Sequence, residues 1–401
     1  MIELLYDRWI SEKVPQANIF KQKRRDFYRT YPSLFNYHDN IYNQYNTFNL
    51  IKRTKKPNVK VIKSINYLSD KPWLYPVIIS PKRKVSNNFP YLVNNNAIHN
   101  FLNKFNKDIL TNILEGNGWL YLDLSFEGLP DYFISSFVKK FNELYPELFK
   151  KSIIVKRPTF FELKLDNVFI FSNHVEDSYY IHGDDFKDHL PGGEFNTKKS
   201  NLLLEMGVVN QRKRYCYFNY QIDHYNPIYD YRRKSLKFLD ENNLIAKGHV
   251  SSGDHSLKNT YKFLSINALK LSDFNLVIES YFDSKDYFHT SPFVTEKTYR
   301  NFLYKKPFIL LSQYHSLKLV KKLGYKTFSP FIDESYDDIE DNDLRFKAAM
   351  NEAKRLINLS DEKFNELRSN INSVLDFNYA HLFKRRDESL NILFKHINFP
   401  N

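Results

Sequence analysis

Apolar positions in this chain alternate between two patterns. Some stretches repeat near 3.6 residues and others are short continuous runs, which is the signature of an α/β protein. Over residues 96–114, Ile98, Phe101, Leu102, Phe105, Ile109, Ile113 and Leu114 fall on one helical face, and Gly116 offers a stop. A strand is predicted at 119–124. A second amphipathic helix follows at 131–145, with Phe133, Phe137, Val138, Phe141 and Leu144 inward, and then short strands at 153–155 and 168–171. Pro191-Gly192-Gly193 and the polar residues up to Ser200 interrupt both periods and predict a linker. Beyond it, 274–278 and 307–311 read as buried strands, with Thr295 placed to cap a helix between them. After residue 340 the pattern is helical: one helix over 343–359, one from the cap Ser360 to 375, and a last one over 379–396. The expected organisation is an N-terminal domain over 1–195, a second domain over 196–375 and a C-terminal helix within 376–401.

The densest chemistry lies in Pro292-Phe293-Val294-Thr295-Glu296-Lys297-Thr298-Tyr299, followed by Lys306-Pro307-Phe308-Ile309-Leu310-Leu311. A cap at Thr295 puts Glu296 and Lys297 in the first helical turn, where unpaired N–H groups and the positive dipole end already favour an anion. A lysine there neutralises a diphosphate, and a glutamate accepts hydrogen bonds from ribose or sugar hydroxyls. Taken alone, a Glu-Lys pair at a helix start reads as a weak surface ion pair. The aromatic and proline residues before it and the buried strand after it favour a nucleotide-sugar site instead.

This segment resembles the donor-binding segment of glycosyltransferases of the B fold, in particular the fucosyltransferase-like group and its phage and bacterial relatives. The resemblance implies two Rossmann-like domains facing a cleft, with C-terminal helices that return to the first domain. It implies donor contacts from Thr295, Glu296, Lys297 and Tyr299. Downstream, Leu323-Gly324-Tyr325-Lys326-Thr327-Phe328 and the run from Phe331 to Asp337 look like the strand and loop that follow the donor segment. Upstream, Tyr215-Cys216-Tyr217-Phe218-Asn219 resembles a strand ending in the donor-side Asn219, and the helix after it would turn Arg232 toward the donor phosphates, with Arg233 and Arg214 as alternative cations. The likeness spans roughly residues 200–375. Where relatives carry further basic residues after the Asn, this chain has Tyr220 and an insertion through Asp223-His224-Tyr225-Asn226-Pro227.

Transfer also needs a base for the acceptor hydroxyl and cations for the departing diphosphate. Asp123 and Glu127 stand at the end of the strand at 119–124, where an α/β sheet places its ligands. Glu127 is the first choice, since it resembles the carboxylate that ends the matching strand in the relatives and Gly128 leaves backbone room. The alternative makes Glu127 part of the next helix cap. His174, after Phe171-Ser172-Asn173, is a further candidate base. No metal site is expected: His182, Asp184, Asp185, Asp188 and His189 match no ligand spacing. The acidic residues Asp333, Glu334, Asp337 and Asp338 suggest the metal motif of the other glycosyltransferase class, which the donor segment contradicts. The resemblance implies a metal-independent, inverting displacement with no tightly bound cofactor and a UDP- or GDP-sugar as co-substrate.

Charge adds a polyanionic partner. Lys and Arg number 59 against 46 Asp and Glu, a net +13. The early clusters Lys21-Gln22-Lys23-Arg24-Arg25, Lys52-Arg53-Thr54-Lys55-Lys56 and Lys82-Arg83-Lys84 interleave with tyrosines, which suits phosphate neutralisation and stacking on extruded bases. A solvated basic face encoded by an AT-rich genome, as in a phage or low-GC bacterium, is the plainer account. Lys23, Arg24, Arg25, Lys55 and Lys56 are the acceptor-side candidates, for a hydroxymethylated base in viral DNA in preference to a surface glycan or lipopolysaccharide. A catalytically inactive nucleic-acid-binding protein is the alternative from another class. The single cysteine, Cys216, excludes an internal disulfide and fits a reducing compartment. The first ten residues lack a signal peptide's apolar core and no run of eighteen apolar residues exists, so a cytoplasmic setting is expected.

Overall fold

The computed structural model describes residues 2–5, 59–62, 70–78, 95–103, 105–124, 131–156, 163, 165–170, 211–218, 230–251, 266–279, 281–283, 292 and 294–396. The chain divides into two units, residues 1–173 with 386–401, and residues 174–385.

The first unit holds a six-stranded sheet in the order β2-β1-β3-β4-β5-β6, built from β1 (Ile2–Leu5), β2 (Val59–Ile62), β3 (Trp73–Ile78), β4 (Gly118–Leu124), β5 (Ser152–Lys156) and β6 (Val168–Ile170). All five pairings are parallel. Such sheets are covered on their faces, so their strands read as apolar runs. The helices in this unit are α1 (Asn95–Leu102), α2 (Lys107–Glu115), α3 (Asp131–Leu144) and α4 (Pro146–Lys150). Phenylalanines dominate the packing: Phe101 meets Phe105 edge-on at 4.9 Å and Phe137 at 5.5 Å, and all three are buried.

The single helix expected over 96–114 is therefore two. Asn106 ends the first run by accepting from Asp108 N at 2.9 Å, which caps α2; asparagine favours this local bond over continuing a helix. Leu114, expected inside, is 46% exposed because the break rotates the second helix. Gly118 pairs with Trp73 across β4 and β3, and a Cβ there would lie 2.4 Å from the buried indole. Gly118→Ala is accordingly expected to cost about 1–3 kcal/mol through overpacking, measured as a lower urea midpoint with unchanged slope.

The second unit carries a four-stranded parallel sheet in the order β10-β9-β7-β8. Its strands are β7 (Lys213–Tyr217), β8 (Gly248–Val250), β9 (Ser272–Ile278) and β10 (Phe308–Leu311). Its helices are α5 (Asp230–Glu241), α6 (Ile266–Lys270), α7 (Glu296–Leu303), α8 (Ser316–Lys322), α9 (Asn342–Ile357) and α10 (Asp361–His396). The chain leaves β7 for β8 on one side and returns to β9 on the other, so the strand order reverses between β7 and β9. In open α/β sheets, ligands bind outside the carboxyl ends of the strands at such a point. The opposite, amino end is closed by Arg214, which bonds Asp273 at 2.8 Å and Asp361.

Two expectations differ here. Residues 323–328 are not a strand, although Tyr325 and Phe328 are buried. The backbone of Lys326 bonds instead to one side chain, with its N–H donating to Asn378 Oδ1 and its carbonyl accepting from Asn378 Nδ2, both at 2.8 Å. That same asparagine explains why the two predicted final helices form one 36-residue helix, α10. With no Gly or Pro in the segment and its own amide turned toward Lys326, Asn378 does not interrupt the helix. The residues of α10 after 385 belong to the first unit, where His396 meets Trp119 at 5.4 Å.

Candidate functional site

The site begins at the carboxyl end of β9. Asn275 and Glu279 lie on the same face of this strand extension, four residues apart. Both are buried, and α7 packs over them. Asn275 Nδ2 donates to Asn301 Oδ1 at 2.8 Å, and Asn301 in turn donates to the carbonyls of Lys297 and Thr298 at 2.8 and 3.1 Å. These bonds seat the helix on the strand.

Glu279 then organises the start of α7. Its Oε1 accepts from the Thr295 N–H at 2.9 Å and from Thr298 Oγ1 at 2.7 Å, while Oε2 accepts from Thr295 Oγ1 at 2.6 Å. Thr295 is the N-cap, accepting from Lys297 N at 3.3 Å and from Lys297 Nζ at 3.1 Å. The Lys297 ammonium sits 3.6 Å from Glu279 Oε2, with 21% of its side chain exposed against 1% for Glu279. A buried carboxylate satisfied by three donors thus sets the cap, and the cap sets the lysine. Lys297 and the start of α7, the positive end of that helix, thus lie at the carboxyl end of β9.

Arg232 belongs to α5 and is buried, with 6% of its surface exposed. Its carbonyl accepts from Ser235 Oγ at 2.9 Å, and that hydroxyl shares a 2.5 Å hydrogen bond with the phenol of Tyr217, the last residue of β7. Burial pushes the phenol up to about 12, opposed by the Ser235 bond and by Arg232. Lys297 and Arg232 therefore stand beside the ends of the two strands that flank the reversal. Arg300, one turn beyond Lys297 in α7, lies 5.0 Å over the ring of Phe218, just past β7. Arg214, an alternative to Arg232, is placed at the other end of the sheet by its bonds to Asp273 and Asp361. Arg233, the other alternative, pairs with Asp230 at 3.2 Å.

Tyr299 and Thr295 are engaged within the protein. Tyr299 is fully buried, 6.0 Å from the rings of both Phe302 and Tyr325, because two residues along a helix turn it away from the face of Lys297. Thr295 is also fully buried, and its hydroxyl is engaged with Glu279 and Lys297. Glu296 starts α7, and its side chain lies outside the described residues, as does that of Asp123 in β4. Glu127, His174, Asn219, Lys23, Arg24, Arg25, Lys55, Lys56 and the segment from His182 to His189 lie outside the described residues altogether.

Glu279, Thr298 and the Asn275–Asn301 pair were missed by sequence reasoning. A charged residue ending the apolar run at 274–278, followed by two threonines bracketing Glu-Lys, is the signal that could have found them.

The acidic run after β10 has structural partners. Glu334 accepts from Thr327 Oγ1 and Phe328 N, each at 2.6 Å, and Asp333 accepts from Ser335 N at 2.9 Å. Asp338 pairs with His315 at 3.2 Å and Lys318 at 3.1 Å. Among the described residues no group of three or more His, Cys, Asp or Glu could hold a metal ion, and no helix is long and apolar enough to cross a membrane.

Asp337 accepts from the N–H groups of Leu317 and Lys318 at 2.8 and 3.0 Å, at the start of α8. Burial nevertheless pushes its carboxyl up to about 6, helped by Asp338 and Glu334 and opposed by those two bonds. A carboxyl whose folded value exceeds its unfolded one keeps its proton longer when folded. Its contribution is full below pH ~4 and is lost as pH rises through about 6, a change of up to about 3 kcal/mol. Stability measured against pH should fall across that window, and Asp337→Asn should flatten the slope.

No family model matches the chain. No curated protein matches it either. Among solved structures, an α1,3-fucosyltransferase with GDP-fucose is similar at a TM-score of 0.36 and 13% identity, over 94% of this chain and 90% of that one. A second α1,3-fucosyltransferase structure is similar at 0.34 and 13%, over 93% and 90%. A third, with GDP, is similar at 0.34 and 12%, over 94% and 90%.

Proposed function

We propose that the chain is a nucleotide-sugar-dependent glycosyltransferase of the B fold, with the donor held by the second unit and the acceptor by the first. The observation that carries this reading is the Glu279–Thr295–Lys297 arrangement at the start of α7, beside the strand-order reversal. Lys297, Arg232 and the α7 N-terminus are the cations for a diphosphate. In the reaction, the acceptor oxygen attacks the anomeric carbon and its proton passes to a carboxylate, for which Glu127 is the first choice. The bond from that carbon to the diphosphate oxygen breaks, and the leaving group's added negative charge is met by Lys297 and Arg232. Direct displacement inverts the anomeric centre, and the protein cations Lys297 and Arg232 take the part that a metal ion plays in other transferases. The excess of positive charge and the basic, aromatic early segment support a hydroxymethylated base in DNA as the acceptor.

The test incubates the protein with hydroxymethylated DNA and a panel of UDP-, GDP- and TDP-sugars, with nucleosides read by mass spectrometry and released diphosphate followed in parallel. A nucleoside heavier by one sugar is expected. Diphosphate release without it moves the acceptor to a glycan, and silence in both channels overturns the enzyme reading in favour of a binding protein.

A further inference from the structure

Arg345, in the first turn of α9, is 2% exposed and uses five N–H donors on five acceptors. Nε donates to the Ser312 carbonyl at 3.1 Å; one terminal nitrogen donates to the carbonyls of Ile339 and Glu340, both at 2.9 Å; the other donates to the Phe282 carbonyl at 2.7 Å and to Asn342 Oδ1 at 2.6 Å. Its guanidinium also lies 4.6 Å from the centre of the Phe282 ring.

The acceptors come from three segments. Phe282 is three residues beyond Glu279, Ser312 directly follows β10, and residues 339–342 lead into α9. Further bonds knit the same edge: Gln313 donates to the Asp283 carbonyl at 3.2 Å, and Asn342 donates to Asp283 Oδ1 at 2.6 Å. The exits of β9 and β10 are thus tied to one side chain. Glu279 lies between the last residue of β9 and this tie, and its own N–H bonds Leu311 at 3.0 Å.

We infer that Arg345 is a positioning residue for the diphosphate site. Resting on the nucleotide-sugar reading, this gives Arg345 the role of fixing where β9 and β10 end, so that Glu279 holds the α7 cap and Lys297 at the geometry the donor needs. It acts through Glu279 and does not touch the donor. A lysine cannot replace it, since one ammonium has three donors at a single point and cannot span carbonyls in three segments.

The test compares Arg345→Lys with Leu356→Ala, a fully buried position on the same helix whose truncation also lowers the urea midpoint, so that binding is compared at a similar loss of stability. Calorimetric binding of GDP and UDP should weaken about tenfold in Arg345→Lys, the equivalent of one misplaced charge-assisted bond, and stay within about twofold in the matched control. Should Arg345→Lys fail to fold, Asn342→Ala removes one acceptor at the helix start and should weaken binding by about threefold. Equal loss in Arg345→Lys and the control would reduce Arg345 to a stability residue and overturn the inference.

Hydrogen exchange on the ligand-free protein separates this inference from the reading beneath it. Faster exchange at 281–283 and 312–316 in Arg345→Lys alone shows that Arg345 fixes the exits of β9 and β10; if wild type then binds neither nucleotide, it is the nucleotide reading that fails, and the tie stands without a diphosphate to serve. Unchanged exchange there overturns the inference, whatever the ligand.

Discussion

Lys297→Ala is expected to lower sugar transfer by about two to three orders of magnitude in kcat while leaving the protein folded. The ammonium is held by Thr295 Oγ1 at 3.1 Å and faces Glu279 Oε2 at 3.6 Å, so its position is set before any ligand arrives. Charge that is fixed in advance, where negative charge develops on the leaving diphosphate, stabilises the transition state more than the ground state. The loss should therefore fall mainly on kcat, with a smaller rise in the donor KM. Folding should survive because Glu279 keeps three donors, from Thr295 N–H, Thr295 Oγ1 and Thr298 Oγ1. Lys297→Arg keeps the charge on a longer, planar group and should recover part of the rate. Steady-state kinetics with a soluble acceptor and detection of released diphosphate decides the matter; turnover of Lys297→Ala equal to wild type would sink the role assigned to this lysine.

The second large effect is on stability. Glu279→Ala removes the acceptor from three buried donors at once and takes away the carboxylate 3.6 Å from Lys297. Each stranded buried donor costs on the order of 1–3 kcal/mol, partly relieved where a hydroxyl can turn, so a total of about 3–5 kcal/mol is expected. Glu279→Gln keeps one acceptor oxygen and should lose about half as much. The sequence supplies a way to localise the damage. Trp9, Trp73 and Trp119 are the only tryptophans, and all belong to the first unit. In urea unfolding of Glu279→Ala, the far-ultraviolet circular dichroism transition should move to lower urea while tryptophan fluorescence keeps its wild-type midpoint. A common shift in both signals would mean that the two units unfold together.

Much of the fold was legible because short-range patterning dictates it. The phenylalanine spacing of α3, the apolar runs of β4, β5, β9 and β10 and the cap at Thr295 each rest on neighbours a few residues away. The errors came where a side chain chose a partner far off in sequence or diverted a local pattern. Asn106 broke a continuous apolar stripe by capping α2, and Asn378 took up the backbone of Lys326, removing a predicted strand and a predicted helix break together.

The candidate site divides in the same way. Thr295 could be placed as the cap, and Glu296 and Lys297 on the first turn, of a helix because helix termini leave N–H groups that a cap residue must satisfy. That much the sequence by itself determined, along with the two runs of α/β elements and the excess of positive charge. Which side chains support that turn was decided only by the tertiary structure. Glu279 lies 16 residues from Thr295 and Arg345 lies 63 from Phe282, and neither pairing follows a helical or strand period. A buried carboxylate or guanidinium is tolerated only when its hydrogen bonds are met, and the folded sheet alone brings those partners within reach.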